Sequence, residues 1–246
     1  MIKLMGLNIP KKSWNSLQEI EKTFFIQLTH LLNEINILQK CTLISSNNAL
    51  NASNAIEKRG HFCQTQFFLR MLAGKLKEGW EILQKDFWKA KLSKNYEKVL
   101  SKPGQSSLEK LKKYFGGNNN IKLIRKKFAF HYDSEKIKEI IDEIPQSEVP
   151  HVIFAEHRVN CLYSLSDIIV NWAILFSIEP TNPRRALETL IDEIVIKVSG
   201  YFQEFGFACI EIIVNKLGLI NKSKEIRLPD PPSIDDINLP YFVKKA

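Results

Sequence analysis

The sequence is most easily bounded by what it lacks. It has no stretch of about 18 consecutive apolar residues, the length a helix needs to cross a bilayer. Its densest apolar run, Ile168 to Ile178, carries Asn171 and reads as a buried core helix. The N-terminus, Met1 to Pro10, lacks the long apolar region and small-residue cleavage site of a secretory leader. The four cysteines, Cys41, Cys63, Cys161 and Cys209, are scattered with no Cys-x-x-Cys pair, so they read as small buried hydrophobes in a reducing compartment. A cytoplasmic protein without membrane contact is the expectation. Familiar site motifs are missing too. Gly74-Lys75 ends like a phosphate-binding loop, but Leu69 stands where the upstream glycine is required. His151 and His157 have no Cys or carboxylate at zinc-ligand spacing, and no Gly-x-Ser-x-Gly elbow occurs. No metal and no cofactor are therefore expected, and there is no internal repeat.

What is there is helical periodicity. Leu17, Ile20, Phe24, Leu28, Leu31, Ile35 and Leu38 recur at three-four spacing and predict a first helix from Ser13 to about Ser45, interrupted by Asn47-Asn48. Leu69, Leu72, Leu76, Trp80, Leu83 and Phe87 predict a second, from about Asn51 to Leu92. Two long amphipathic segments with a short break imply an antiparallel pair. Gly74 and Gly79 inside the second helix imply a neighbour that approaches closely, and Arg70, Gly74 and Glu78 mark either a second contact face or a solvated one. Lys102-Pro103-Gly104 reads as a break, with Ser107 capping a helix to Phe115. Further helices are expected from about Asn120 to His131, from Asp133 or Ser134 to Pro145, from about Val159 to Phe176, and from Asn182 to about Leu217. The piece from His151 to about Glu156 is extended, without an evident partner strand. The prediction is an all-α bundle of long antiparallel helices over residues 1–218, followed by an extended or disordered C-terminal tail over 219–246 that contains Pro229, Pro231, Pro232 and Pro240 and is pinned by Tyr241-Phe242-Val243.

Charge is unevenly spread. The net charge is +8, yet residues 70–127 alone hold 16 basic and 5 acidic side chains, leaving 19 basic against 22 acidic elsewhere. A basic stretch of this kind attracts polyanions, RNA and DNA first among them, or is simply a solvated lysine-rich face.

That stretch ends in Ile124-Arg125-Lys126-Lys127-Phe128-Ala129-Phe130-His131-Tyr132-Asp133. At about 100° per residue, Arg125 and His131 fall some 60° to either side of Phe128, flanking the apolar seam of Ile121, Ile124 and Phe128. Packing that seam against a copy of itself would bring two Arg/His pairs to one cleft. The residue types suit RNA cleavage by the ribose 2′-hydroxyl. An imidazole titrating near neutrality moves the protons, and a guanidinium meets the charge growing on phosphorus. Glu78 reads either as a carboxylate that pairs Arg125 or orients His131, or as a surface ion pair with Lys75 or Lys77. Glu156, His157 and Arg158, with Asn160, either line the same cleft or serve in capping and core hydrogen bonds. Asp167 and Asn171 lie in an apolar helix and read as structural groups needing partners if buried.

Arg125-x5-His131 matches the Arg-x4–6-His pattern of the HEPN superfamily, and the ten-residue string around it resembles the HEPN-like branch named for the abortive-infection protein AbiU. The segment Phe67 to Trp80 is similar to that branch's second helix. The resemblance implies a helical bundle that dimerises into a composite ribonuclease site. In it Arg125 and His131 are catalytic, Lys126, Tyr132 and Asp133 are supporting, RNA is the partner, and a toxin role in phage defence with an antitoxin protein is implied. The superfamily often has a small polar residue after the arginine, where this chain has Lys126. A catalytically inactive scaffold of the same fold, binding RNA, nucleotide or protein, is the alternative reading.

Overall fold

A computed structural model describes residues 2–125, 134–141 and 152–244. The protein is all-α. In chain order the elements are β1 (Ile2–Gly6), α1 (Lys11–Asn15), α2 (Glu19–Asn51), α3 (Ala55–Ile82), α4 (Ser93–Tyr96), α5 (Lys102–Gly116), α6 (Asn120–Ile124), α7 (Ser134–Ile141), β2 (Val152–Ile153), β3 (Leu162–Tyr163), α8 (Ser164–Ile178), α9 (Pro183–Leu190), α10 (Ser199–Lys216) and β4 (Lys224–Leu228). Wider π-helical turns continue α3 over Leu83–Lys89 and join α9 to α10 over Ile191–Val198. The chain forms two compact units. The first comprises 1–36, 75–118 and 198–233, and the second 37–74, 119–197 and 234–246. This division crosses the expected 1–218 boundary.

Within the first unit α2 and α3 run antiparallel. Glu34 meets Lys75, Leu31 faces Gly79 and Phe24 stacks on Phe87, so positions fall along one helix as they rise along the other. Leu76, Trp80, Leu83 and Phe87 are all buried, as are Leu69 and Leu72 in the second unit, as the spacing requires. Gly79 is glycine because of its neighbours. A Cβ there would lie 2.6 Å from Leu31 Cδ2 and 3.0 Å from the Phe202 ring. Gly104 likewise lets α5 seat on α10, where a Cβ would meet that of Ala208 at 2.5 Å. Aromatic rings fill the space between helices: Phe87 with Phe205 at 5.3 Å, and Trp80 stacked on Phe115 at 4.9 Å. The strand β1 pairs antiparallel with β4, Ile2 opposite Leu228, which gives the first part of the C-terminal tail a fixed place.

One charge is buried in this unit. Glu21 is 3% exposed, and Lys216 Nζ lies 2.7 Å from both its oxygens. The Tyr96 hydroxyl donates to it at 3.1 Å and the Gln18 N–H at 3.1 Å. Burial pushes the carboxyl up, but Lys216, the Gln18 N–H and Tyr96 outweigh it, and the group ends below its ordinary 4.5. A depressed carboxylate stabilises the fold fully above 4.5, and that contribution is lost as pH falls through the lower folded value. Replacing Lys216 with Met strands the carboxylate. A cost of about 1–3 kcal/mol at pH 7 is expected, below the range for fully buried pairs because Lys216 is half-exposed. The gap between the urea midpoints of wild type and K216M should narrow as pH falls from 7 through the lowered folded value of Glu21; a gap that widens on acidification would exclude this account.

Several boundaries differ from the sequence-based expectation. α2 does not stop at Asn47-Asn48 but runs to Asn51; the Asn47 and Asn51 amides bond one turn apart, and Asn48 is used elsewhere. Asn54 Oδ1 then caps α3 through the N–H groups of Ile56 and Glu57. Pro103 opens α5 instead of breaking the chain, since Ser101 Oγ accepts from the Gly104 N–H and proline is tolerated in a first turn. Ser107, expected as the cap, is buried inside that helix. The piece after Pro150 does find a strand: Val152 pairs Tyr163 and Ile153 pairs Leu162. Because β3 takes those residues, α8 begins at Ser164 and not near Val159.

Candidate functional site

The second unit has the polar interior. Of the ten buried polar or charged side chains among the described residues, seven lie in it: Thr42, Ser45, His61, Thr65, Gln66, Ser164 and Asn171. Cys63, Gln66 and Arg70 share one face of α3, and Asp167 and Asn171 share one face of α8. The two faces meet. Arg70 Nη1 donates to Asn171 Oδ1 at 2.6 Å, and the Cys63 thiol bonds the Asp167 carboxylate. Burial first, then Asp167, push that thiol up. Asn171 Nδ2 and Gln66 Nε2 are enclosed without partners. Arg70 thus belongs to a contact face, one of the two readings its position allowed. Glu78, about two turns further, gives its carboxylate to Lys75 at 3.1 Å, and Lys75 also bonds Glu34 at 3.1 Å.

Arg125 follows α6. Asn119 caps that helix through the Lys122 N–H at 2.9 Å, and Asn120 Nδ2 donates to Glu193 at 2.7 Å, which anchors its start. Ile121 and Ile124 are fully buried, as their place in the expected seam requires, while Phe128, its third member, lies outside the described residues. Arg125 continues the helical backbone at φ −61° and ψ −43° and is half-buried. Its Nε is enclosed with no hydrogen-bond partner, and no hydrogen bond or ion pair among the described residues claims the guanidinium. An enclosed charged donor left unmatched is costly. His131, Lys126, Tyr132 and Asp133 lie outside the described residues.

Glu156, His157 and Arg158 are exposed between β2 and β3. His157 and Val159 form a recess of about 250 Å³ with Val243 and Lys244 of the tail. A second cavity, of about 290 Å³, lies between the α2–α3 turn and the tail, with Asn51, Glu57, His61 and Tyr241 among its walls. His61 is 7% exposed, and its Nδ1 lies 3.1 Å from Gln64 Oε1. Periodicity could not reveal His61 or Gln66, because their polarity breaks the apolar pattern without forming a motif.

The basic stretch is exposed where it leaves α3. Lys85, Lys89, Lys91, Lys94, Lys98 and Lys113 are exposed and form no ion pair among the described residues. Among those residues no cluster of three His, Cys, Asp or Glu side chains is placed to hold a metal ion, and no helix is long and apolar enough to cross a membrane. Comparison with protein-family models, with curated proteins and with solved structures finds no match to the chain.

Proposed function

We propose that the protein is a metal-independent endoribonuclease of HEPN type, acting as a homodimer whose two Arg125/His131 pairs share one cleft. The observation that carries this reading is Arg125 itself, a half-buried guanidinium at the end of the motif helix with no internal counter-ion among the described residues. In the reaction the ribose 2′-oxygen bonds the adjacent phosphorus as its proton passes to an imidazole. The phosphorus–O5′ bond then breaks, and O5′ takes up a proton, leaving a 2′,3′-cyclic phosphate and a free 5′-hydroxyl. His131 moves the protons and the forked donors of Arg125 meet the phosphorane oxygens. A toxin role in phage defence, restrained by an antitoxin protein, fits such an activity, and cytoplasmic RNA is its substrate.

The test is incubation of the purified chain with single-stranded RNA in EDTA. Cleavage with cyclic-phosphate ends is expected; no cleavage, or cleavage that needs added Mg²⁺, overturns the reading. The unpaired lysines of 85–113 support RNA as the polyanion. Changing Lys89, Lys91, Lys94 and Lys98 together to Ala should weaken RNA binding about tenfold or more near 0.1 M salt and flatten the slope of log Kd against log salt by as much as about 3. An unchanged slope in a filter-binding titration would move the RNA path off this face.

A further inference from the structure

The C-terminal segment after Pro232 is held by side-chain amides. Asn48 Nδ2 donates to the Ile237 carbonyl at 2.9 Å, and its Oδ1 accepts from the Leu239 N–H at 2.9 Å. Asn160 does the same to a single residue, donating to the Val243 carbonyl at 2.7 Å and accepting from the Val243 N–H at 2.9 Å. Gln64 Nε2 and Asn47 Nδ2 reach the carbonyls of Pro240 and Asp235, each at 3.4 Å. A primary amide carries the same donor and acceptor as a peptide group, so each asparagine reads the tail as a neighbouring strand would. Four amides thus address backbone, and the tail's side chains are read mainly at one place. Tyr241 stacks over Gly60, where a Cβ would sit 2.8 Å from Tyr241 Cβ and Cγ, and its hydroxyl donates to the Cys161 carbonyl at 3.1 Å.

Every reading group lies in residues 47–64 or 160–161, and none on the tail itself. The groove is complete without its occupant. Pro229, Pro231 and Pro232 precede the segment and form a stiff, non-helical lead. We propose that residues 47–64 and 160–161 form a binding site for an extended peptide with a Tyr at its fifth position from Ile237, filled here in cis by residues 234–244 and open to the same segment of a second copy. Backbone capture makes the site tolerant of most tail side chains but intolerant of proline at positions 239 and 243, whose N–H groups are used. This does not depend on the ribonuclease reading.

The probe is a fluorescent peptide of residues 233–246, added to full-length chains. Wild type should bind it weakly, because its own tail competes at high effective concentration. The full-length variant Leu239→Pro/Val243→Pro, whose tail can no longer be clasped, should bind it at least tenfold more tightly. Adding Asn48→Ala and Asn160→Ala to that variant should remove the gain. Binding that ignores the two asparagines overturns the proposal, and so does a proline variant that melts like wild type yet gains no affinity. If the proline variant melts poorly, amide exchange on the intact chain decides: Asn48→Ala must deprotect the Leu239 amide and Asn160→Ala that of Val243, and protection retained in both would refute the clasp.

Discussion

Replacing His131 with Ala is expected to lower RNA cleavage about 10²–10⁴-fold, the range for losing a positioned acid–base group, while circular dichroism and RNA affinity stay within error of wild type. Removing the Arg125 guanidinium with Ala should cost about 10²–10³-fold in kcat, as for other transition-state charge donors. Arg125→Lys should recover only part of that loss, because an ammonium keeps the charge but not the fork. The pattern matters more than any one value. A scaffold that binds RNA without cutting it would show no cleavage to lose. Equal cleavage by wild type and H131A would point to a contaminant or another site. The expected separation of rate from affinity follows from the roles: neither side chain is needed to hold RNA if the exposed lysines near 85–113 do so.

Phe87→Ala should destabilise the first unit by about 3–5 kcal/mol, a large part of the 5–15 kcal/mol typical of a whole domain. Phe87 is fully buried and touches four rings: Phe24 at 5.5 Å, Phe205 at 5.3 Å, Trp88 at 5.8 Å and Tyr96 at 6.2 Å. Trp88 is its chain neighbour, and the other three rings come from α2, α4 and α10, so the cavity left behind has rigid walls and cannot collapse cheaply. Phe207→Ala is the control. That ring is 60% exposed, and its loss should change stability by no more than about 0.5 kcal/mol. Urea unfolding followed by tryptophan fluorescence reports both, since Trp80 and Trp88 lie in the same aromatic cluster. A Phe87→Ala cost under about 1 kcal/mol would mean that the cluster is not the centre of this unit's core.

Much of the architecture was legible because helices are local. Leu69 through Phe87 recur at a spacing that only a helix turns into one buried face, and every one of those side chains is buried. The seam of Ile121 and Ile124 beside Arg125 was legible for the same reason. Helix ends were less so. Asn47-Asn48 looks like an interruption in one dimension, yet Asn48 stays helical because distant tail backbone satisfies its amide. Pro103 looks like a break, yet it sits in the first turn behind a serine cap. In each case a group that disfavours helix by itself was provided for by a partner that periodicity does not see.

By itself, then, the sequence determined the class of fold, the faces of its long helices, the basic stretch and the Arg125–His131 spacing, all of which depend on neighbours within a few turns. Only the tertiary structure decided that Glu21 keeps its charge in the core against Lys216, 195 positions away, and that Asn48 and Asn160 receive the tail 191 and 83 positions away. Such contacts exchange water for a specific partner, and which partner arrives is set by how whole helices pack, not by the chemistry of any short segment.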